Sequence, residues 1–115
     1  MTTTLEESAL IAVQGQTNVW KITLTDKATG TVQNLTGKTL TAKVKHDGVG
    51  SPLALTMGSG LAIVTPAAGL LSITLDAAAI APMPLDSTAY VYLTIWNADD
   101  TQHAHGAFPM VISLG

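Results

Sequence analysis

Apolar and polar residues alternate with a period of two along much of this chain. Val19-Trp20-Lys21-Ile22-Thr23-Leu24-Thr25-Asp26 sets the pattern, with Trp20, Ile22 and Leu24 on one side and Lys21, Thr23 and Thr25 on the other. Residues 38–46 repeat it, Leu40, Ala42 and Val44 alternating with Thr39, Thr41, Lys43 and Lys45. Successive side chains of a strand point to opposite faces, so each run presents one apolar and one wet face, as a half-buried strand does. Between the two runs stand Lys27-Ala28-Thr29-Gly30 and Asn34-Leu35-Thr36-Gly37. Both are turn chemistry, because glycine tolerates positive φ and Asn bonds its own backbone.

The same reading predicts strands over 8–14, 53–57, 61–64, 70–75, 90–97 and 103–114, with Leu71, Ile73 and Leu75 sharing a face. Gly15-Gln16-Thr17, the run from Asp47 to Pro52, Gly58-Ser59-Gly60, the run from Thr65 to Gly69 and Ala98-Asp99-Asp100-Thr101 separate them as turns. Thr31-Val32 is allowed a brief pairing. Asp76-Ala77-Ala78-Ala79-Ile80 permits at most one helical turn, capped by Asp76 and stopped by Pro82 and Pro84. Residues 1–7 read as a flexible polar arm and 8–115 as one β-sandwich domain. Seven or eight short strands with turns about every ten residues predict an all-β, antiparallel, Ig-like β-sandwich.

Composition changes the picture in three ways. The 115 residues contain no cysteine, so neither a disulfide framework nor a thiolate metal site holds the fold. Five lysines, no arginine and a net charge of −3 argue against nucleic acid, whose binders lean on arginine for bidentate contacts. Only 11% of residues are charged against about 25% in typical soluble domains, and mean hydropathy is +0.37. No run of about 18 apolar residues is present, so a membrane span is not expected. Met1-Thr2-Thr3-Thr4-Leu5-Glu6-Glu7 lacks the basic start and apolar stretch of a signal peptide. Scarce charge on a strand-rich chain then implies that a neighbouring protein covers surface that would otherwise aggregate.

Candidate chemistry is sparse. His103 and His105 share a strand face and lie just past Asp99 and Asp100, a conceivable metal set to which His46 could add a third imidazole. The plainer reading is an exposed histidine pair beside a turn, and no metal or cofactor is expected. No nucleophile elbow or phosphate loop is present, and Asn34-Leu35-Thr36 reads as a turn rather than a glycosylation site. The chain is therefore expected not to be an enzyme. The strand at 90–97 is different, because Tyr90, Tyr92 and Trp96 occupy one face while Val91, Leu93 and Ile95 occupy the other. One face must pack the core; the other is covered by a loop or is a platform for a protein or a sugar.

One ordered set of residues resembles a known family. Gly15-Gln16-Thr17 precedes a strand ending Leu24-Thr25-Asp26; then come Gly30, Leu35-Thr36-Gly37, Ala68-Gly69 before Leu71-Ser72-Ile73-Thr74-Leu75, the Tyr90-Val91-Tyr92 strand, and Gly106 before the closing strand. In this order, over about residues 13–112, they resemble the small Ig-like β-sandwich modules of tailed-phage virions, in particular the N-terminal domain of baseplate upper proteins. Asn34 stands where that family usually has aspartate, and Asp99-Asp100-Thr101 where its final hairpin has an acidic residue and glycine. The long oligomerising shaft of those proteins has no counterpart in these residues. The resemblance implies a non-enzymatic virion component without cofactor, made in the host cytoplasm and docked on other virion structural proteins as a homo-oligomer or lattice subunit. Tail or baseplate adaptor is taken ahead of capsid decoration, and a carbohydrate-binding or adhesion module is the alternative. Tyr90, Tyr92 and Trp96 are the expected contact residues.

Overall fold

The computed structural model describes residues 3–46 and 52–114. They form nine strands: β1 Thr3–Thr4, β2 Leu10–Val13, β3 Asn18–Thr23, β4 Thr39–Lys45, β5 Leu53–Met57, β6 Gly60–Thr65, β7 Leu70–Leu75, β8 Thr88–Trp96 and β9 Gln102–Ser113. Among the described residues the one α-helical turn, α1, is Ala77–Ile80, where the Asp76 carboxylate accepts from the Ala79 N–H at 2.9 Å. A 3-10 turn at Pro66–Ala68 lies inside the expected 65–69 turn. The turn expected over 47–52 falls, except for Pro52, outside the described residues.

The strands make one open, curled, mixed sheet in the order β1-β9-β8-β4-β5-β6-β7-β3, with β2 also on β9. The all-β expectation therefore holds. Two antiparallel blocks dominate it: β9-β8-β4-β5 and β6-β7-β3. Inward residues of both meet in one core, Leu40, Ala42 and Val44 of β4 and Val91, Leu93 and Ile95 of β8 with Leu71, Ile73 and Leu75 of β7. Their outward neighbours remain solvated, which is what the alternation in the chain demanded.

The expected all-antiparallel pairing needs correction. β1 and β2 both run parallel to β9, and β5 touches β6 in parallel only at Thr56↔Gly60 and Met57↔Leu61. Gly58 and Gly60 sit at φ 81° and 98°, in left-handed backbone. They send β6 away from a hairpin with β5 and across to β7, so the junction between the blocks is short.

The N-terminal arm also differs from expectation over its described part. Thr3 and Thr4 pair with Ala104 and His105, and Leu5 is fully buried. Its N–H donates to the His105 carbonyl (2.7 Å), while Glu6 N–H donates to Thr25 O and Lys27 N–H to Thr4 O (both 2.9 Å). This segment thus bonds to β9 on one side and to the chain just after β3 on the other, tying the two sheet edges at one end. The slot depends on Gly106, where an added Cβ would stand 2.9 Å from the Leu5 Cβ. One leucine among polar neighbours carries no periodicity, which is why the segment read as an arm. The pairing of Thr3–Thr4 as β1 raises the strand number to nine, above the seven or eight expected.

Asn18 is the one buried polar side chain among the described residues. It accepts from Val13 N–H (2.9 Å) and donates to the carbonyls of Val13 (3.0 Å) and Gln16 (3.1 Å), clamping the turn between β2 and β3. A buried amide is tolerated because these bonds replace its water.

Candidate functional site

β8 is central, with β9 and β4 on its two sides, and it resolves the ambiguity of its sequence. Ala89, Val91, Leu93 and Ile95 are buried; Tyr90 and Tyr92 are 43% and 44% exposed on the opposite face, and Trp96 is half-buried there. Loop 76–88 does not cover this face: its Ile80 and Met83 belong to the core instead. The two tyrosine rings lie 6.2 Å apart, tilted by 38°.

Register assembles the neighbours of these rings. Lys45 lies beside Tyr90, Lys43 beside Tyr92 and Thr41 beside Thr94 on one side, with Pro109, Ala107 and His105 on the other. The Lys45 ammonium sits 5.3 Å from the Tyr92 ring centroid, within range of a cation–π attraction. Trp96 donates its indole N–H to the Thr41 hydroxyl at 2.7 Å, which satisfies the ring's only polar group and orients it.

Two adjoining surfaces result. On the β4–β5 side, Thr41, Lys43, Lys45, Ala54, Thr56, Tyr92, Thr94 and Trp96 line a depression of about 600 Å³. On the β9–β2 side, Tyr90 continues through Pro109 to Val111 and Ile11, the last two 39% and 63% exposed. Sequence reading picked out the three aromatics but not Lys43, Lys45 or the threonines as their companions. These were legible as the outer face of their own strand, whereas the register placing that face beside β8 is a long-range fact.

The histidines are not brought together as a metal set. His103 bonds Gln33 (3.2 Å) and His105 bonds Gln102 (3.1 Å), while His46 bonds Ser87 (2.7 Å) at the opposite end of β8. Among the described residues no group of three His, Cys, Asp or Glu side chains could hold a metal ion. A bulge at Ile95/Trp96 places His103 out of register with β8. Asp99 accepts from the Thr101 hydroxyl (2.6 Å) and N–H (3.1 Å), and these bonds hold its carboxyl below the usual value of 3.8. Asp100 adopts φ 66°, so the acidic pair is built into the turn. Asn34 likewise accepts from Thr36 N–H (2.9 Å), closing a turn.

No protein-family model and no curated protein matches this chain. Among solved structures it is similar to the N-terminal domain of phage TP901-1 ORF48, with a TM-score of 0.60 over 97% of this chain and 94% of that one. The likeness is one of fold. At 12% identity it carries no residue-level correspondence, but its near-complete coverage of both chains places the whole β architecture, rather than a fragment, in common with a phage protein.

Proposed function

We propose that this protein is a non-enzymatic structural component of a bacteriophage virion that docks on other virion proteins through the exposed strip running from Tyr90 of β8 across Pro109 and Val111 of β9 to Ile11 of β2. The observation that carries the reading is the shared fold with a phage domain along almost the full length of both chains. Under it, the two antiparallel blocks are the layers of an Ig-like sandwich, curled so that β5 and β6 turn the corner. The exposed row from Ile11 through Val111 and Pro109 to Tyr90 supports docking, since a contiguous apolar strip rimmed by polar residues is what partner surfaces supply. Scarce charge supports a role as a homo-oligomer or lattice subunit, with a tail or baseplate position taken ahead of capsid decoration.

The test is incorporation. Purified particles of the phage encoding this chain should contain it at fixed stoichiometry by quantitative mass spectrometry. Tyr90→Ala with Val111→Ser should lower that stoichiometry while the isolated variant keeps its melting temperature. Particles assembling without the protein in any fraction would sink the reading. A second reading, saccharide binding, is favoured by one observation, the aromatic and lysine-lined depression on the β4–β5 side.

A further inference from the structure

The depression beside Tyr92 and Trp96 combines features that point to a ligand of definite chemistry. Lys43 and Lys45, two of the chain's five lysines, line it, and among the described residues no acidic side chain does, although the chain carries a net charge of −3. The basic character is therefore local and runs against the whole molecule. Tyr92 and Trp96 supply ring surface, and the Trp96 N–H is already bonded to Thr41, so a ligand meets the indole as an apolar surface. Thr41, Thr56 and Thr94 place hydroxyls among these rings, and Ala54 keeps the depression open.

The β4 backbone beneath the two lysines offers nothing to an added strand. β4 is paired on both sides, with β5 over 41–44 and with β8 over 39–45, so its N–H and C=O groups are spent in the ladders. Recognition must come from side chains. A protein partner's anchor residue wants a closed, fully desolvated socket. This site is instead broad, with Trp96 at one end, the row of Thr94, Thr41 and Thr56 next to it, then Tyr92 beside Lys43, and the Lys45 ammonium 5.3 Å from the Tyr92 ring centroid. A pyranose matches that distribution: its C–H face is apolar, its edge is ringed with hydroxyls, and a carboxylate substituent would meet the lysines. About 600 Å³ lies within the range of small-ligand sites.

We infer that this depression binds a carboxylated saccharide, a uronate-type sugar stacking on Tyr92 and Trp96 with its carboxylate held by Lys43 and Lys45. The inference goes beyond docking and does not depend on it, because the docking strip lies on the β9–β2 side of β8.

The experiment is a ¹⁵N–¹H NMR titration of the full chain with trigalacturonate, cellotriose as the neutral control and penta-glutamate as the peptide control. The two tryptophans give two indole N–H signals. Trigalacturonate should shift the Trp96 indole and the Thr41, Thr56 and Thr94 amides saturably while leaving Trp20 in place. Cellotriose should bind at least about tenfold more weakly. Lys43→Met with Lys45→Met, which keeps the stems, should also lower affinity at least about tenfold, with an unchanged spectrum before ligand showing that it is folded. Absence of any Trp96 shift at about 10 mM trigalacturonate overturns the proposal. Equal binding of cellotriose overturns the anionic specificity, and stronger binding of penta-glutamate overturns the saccharide in favour of an acidic protein segment. Particle incorporation, measured separately, distinguishes any of these failures from a failure of the docking reading.

Discussion

β3 and β8 are both amphipathic strands, with Trp20 and Ile22 inward in one and Ala89, Val91, Leu93 and Ile95 inward in the other, yet their outer faces differ in kind. The outer side of β3 carries Val19, Lys21 and Thr23, and its partner β7 adds Thr74, Ser72 and Leu70 in register. The outer side of β8 carries Tyr90, Tyr92, Thr94 and Trp96, flanked by Lys43 and Lys45 and by Ala107 and Pro109. Water satisfies the β3 face, since a lone exposed valine among hydroxyls and an ammonium needs no explanation. The β8 face concentrates ring surface where hydration returns least, and rings with polar tips are what interfaces select. The contrast teaches that the two blocks end in outer faces of different chemistry, one mostly hydroxyls and the other rings flanked by lysines.

The largest effect that could break the comparison lies in the core beneath β8. Leu93→Ala removes a buried side chain and should cost about 2–5 kcal/mol in denaturant unfolding, while Tyr92→Ala, one residue away on the outer face, should stay within about 1 kcal/mol. Equal losses would mean that the outer face is structural and not a contact surface.

Next comes the seam that ties the two edges. Gly106→Val drives a side chain against Leu5 and Phe108 and should cost about 1–3 kcal/mol, whereas a Thr23→Val change on the β3 face should be near neutral. Thermal unfolding of both variants checks this, and an unaffected Gly106→Val would show that the Leu5 slot contributes nothing. A smaller effect is expected from Trp96→Phe, which keeps the ring surface but deletes the 2.7 Å bond to Thr41, at about 1 kcal/mol.

The smallest expected effect concerns the turn beyond β8. Hydrogen bonds from Thr101 depress the Asp99 pKa in the folded chain, so its contribution to stability is present above the unfolded carboxylate value of 3.8 and is lost as pH falls through the lower folded value. Asp99 is fully exposed, so the contribution is small. An NMR pH titration should place its midpoint below 3.8, and Thr101→Ala should bring it back toward that value.

Much of this molecule was legible beforehand. Leu40, Ala42 and Val44 were assigned inward and Leu71, Ile73 and Leu75 to one shared face from alternation alone, and all six are buried. The Asp76 cap and the turns at Asn34 and Asp99 followed from side chains that bond their own backbone within two or three residues. Leu5 was not legible, because its burial depends on Gly106, a residue about a hundred positions away. Nor was the core face of β8, since both of its faces are apolar and periodicity has no polar side to choose against.

By itself, then, the amino-acid sequence determined where strands and turns lie and which residues of an alternating strand face inward, because those properties arise from neighbours in the chain. Tertiary structure alone decided that β1 and β2 run parallel to β9, that Leu5 ties the edges, and that Lys43 and Lys45 stand beside Tyr92 and Trp96. Those are matters of register between distant segments. The alternating pattern fixes which face a strand turns inward, but which distant strand it lies beside is decided by how the curled sheet fills its core as a whole.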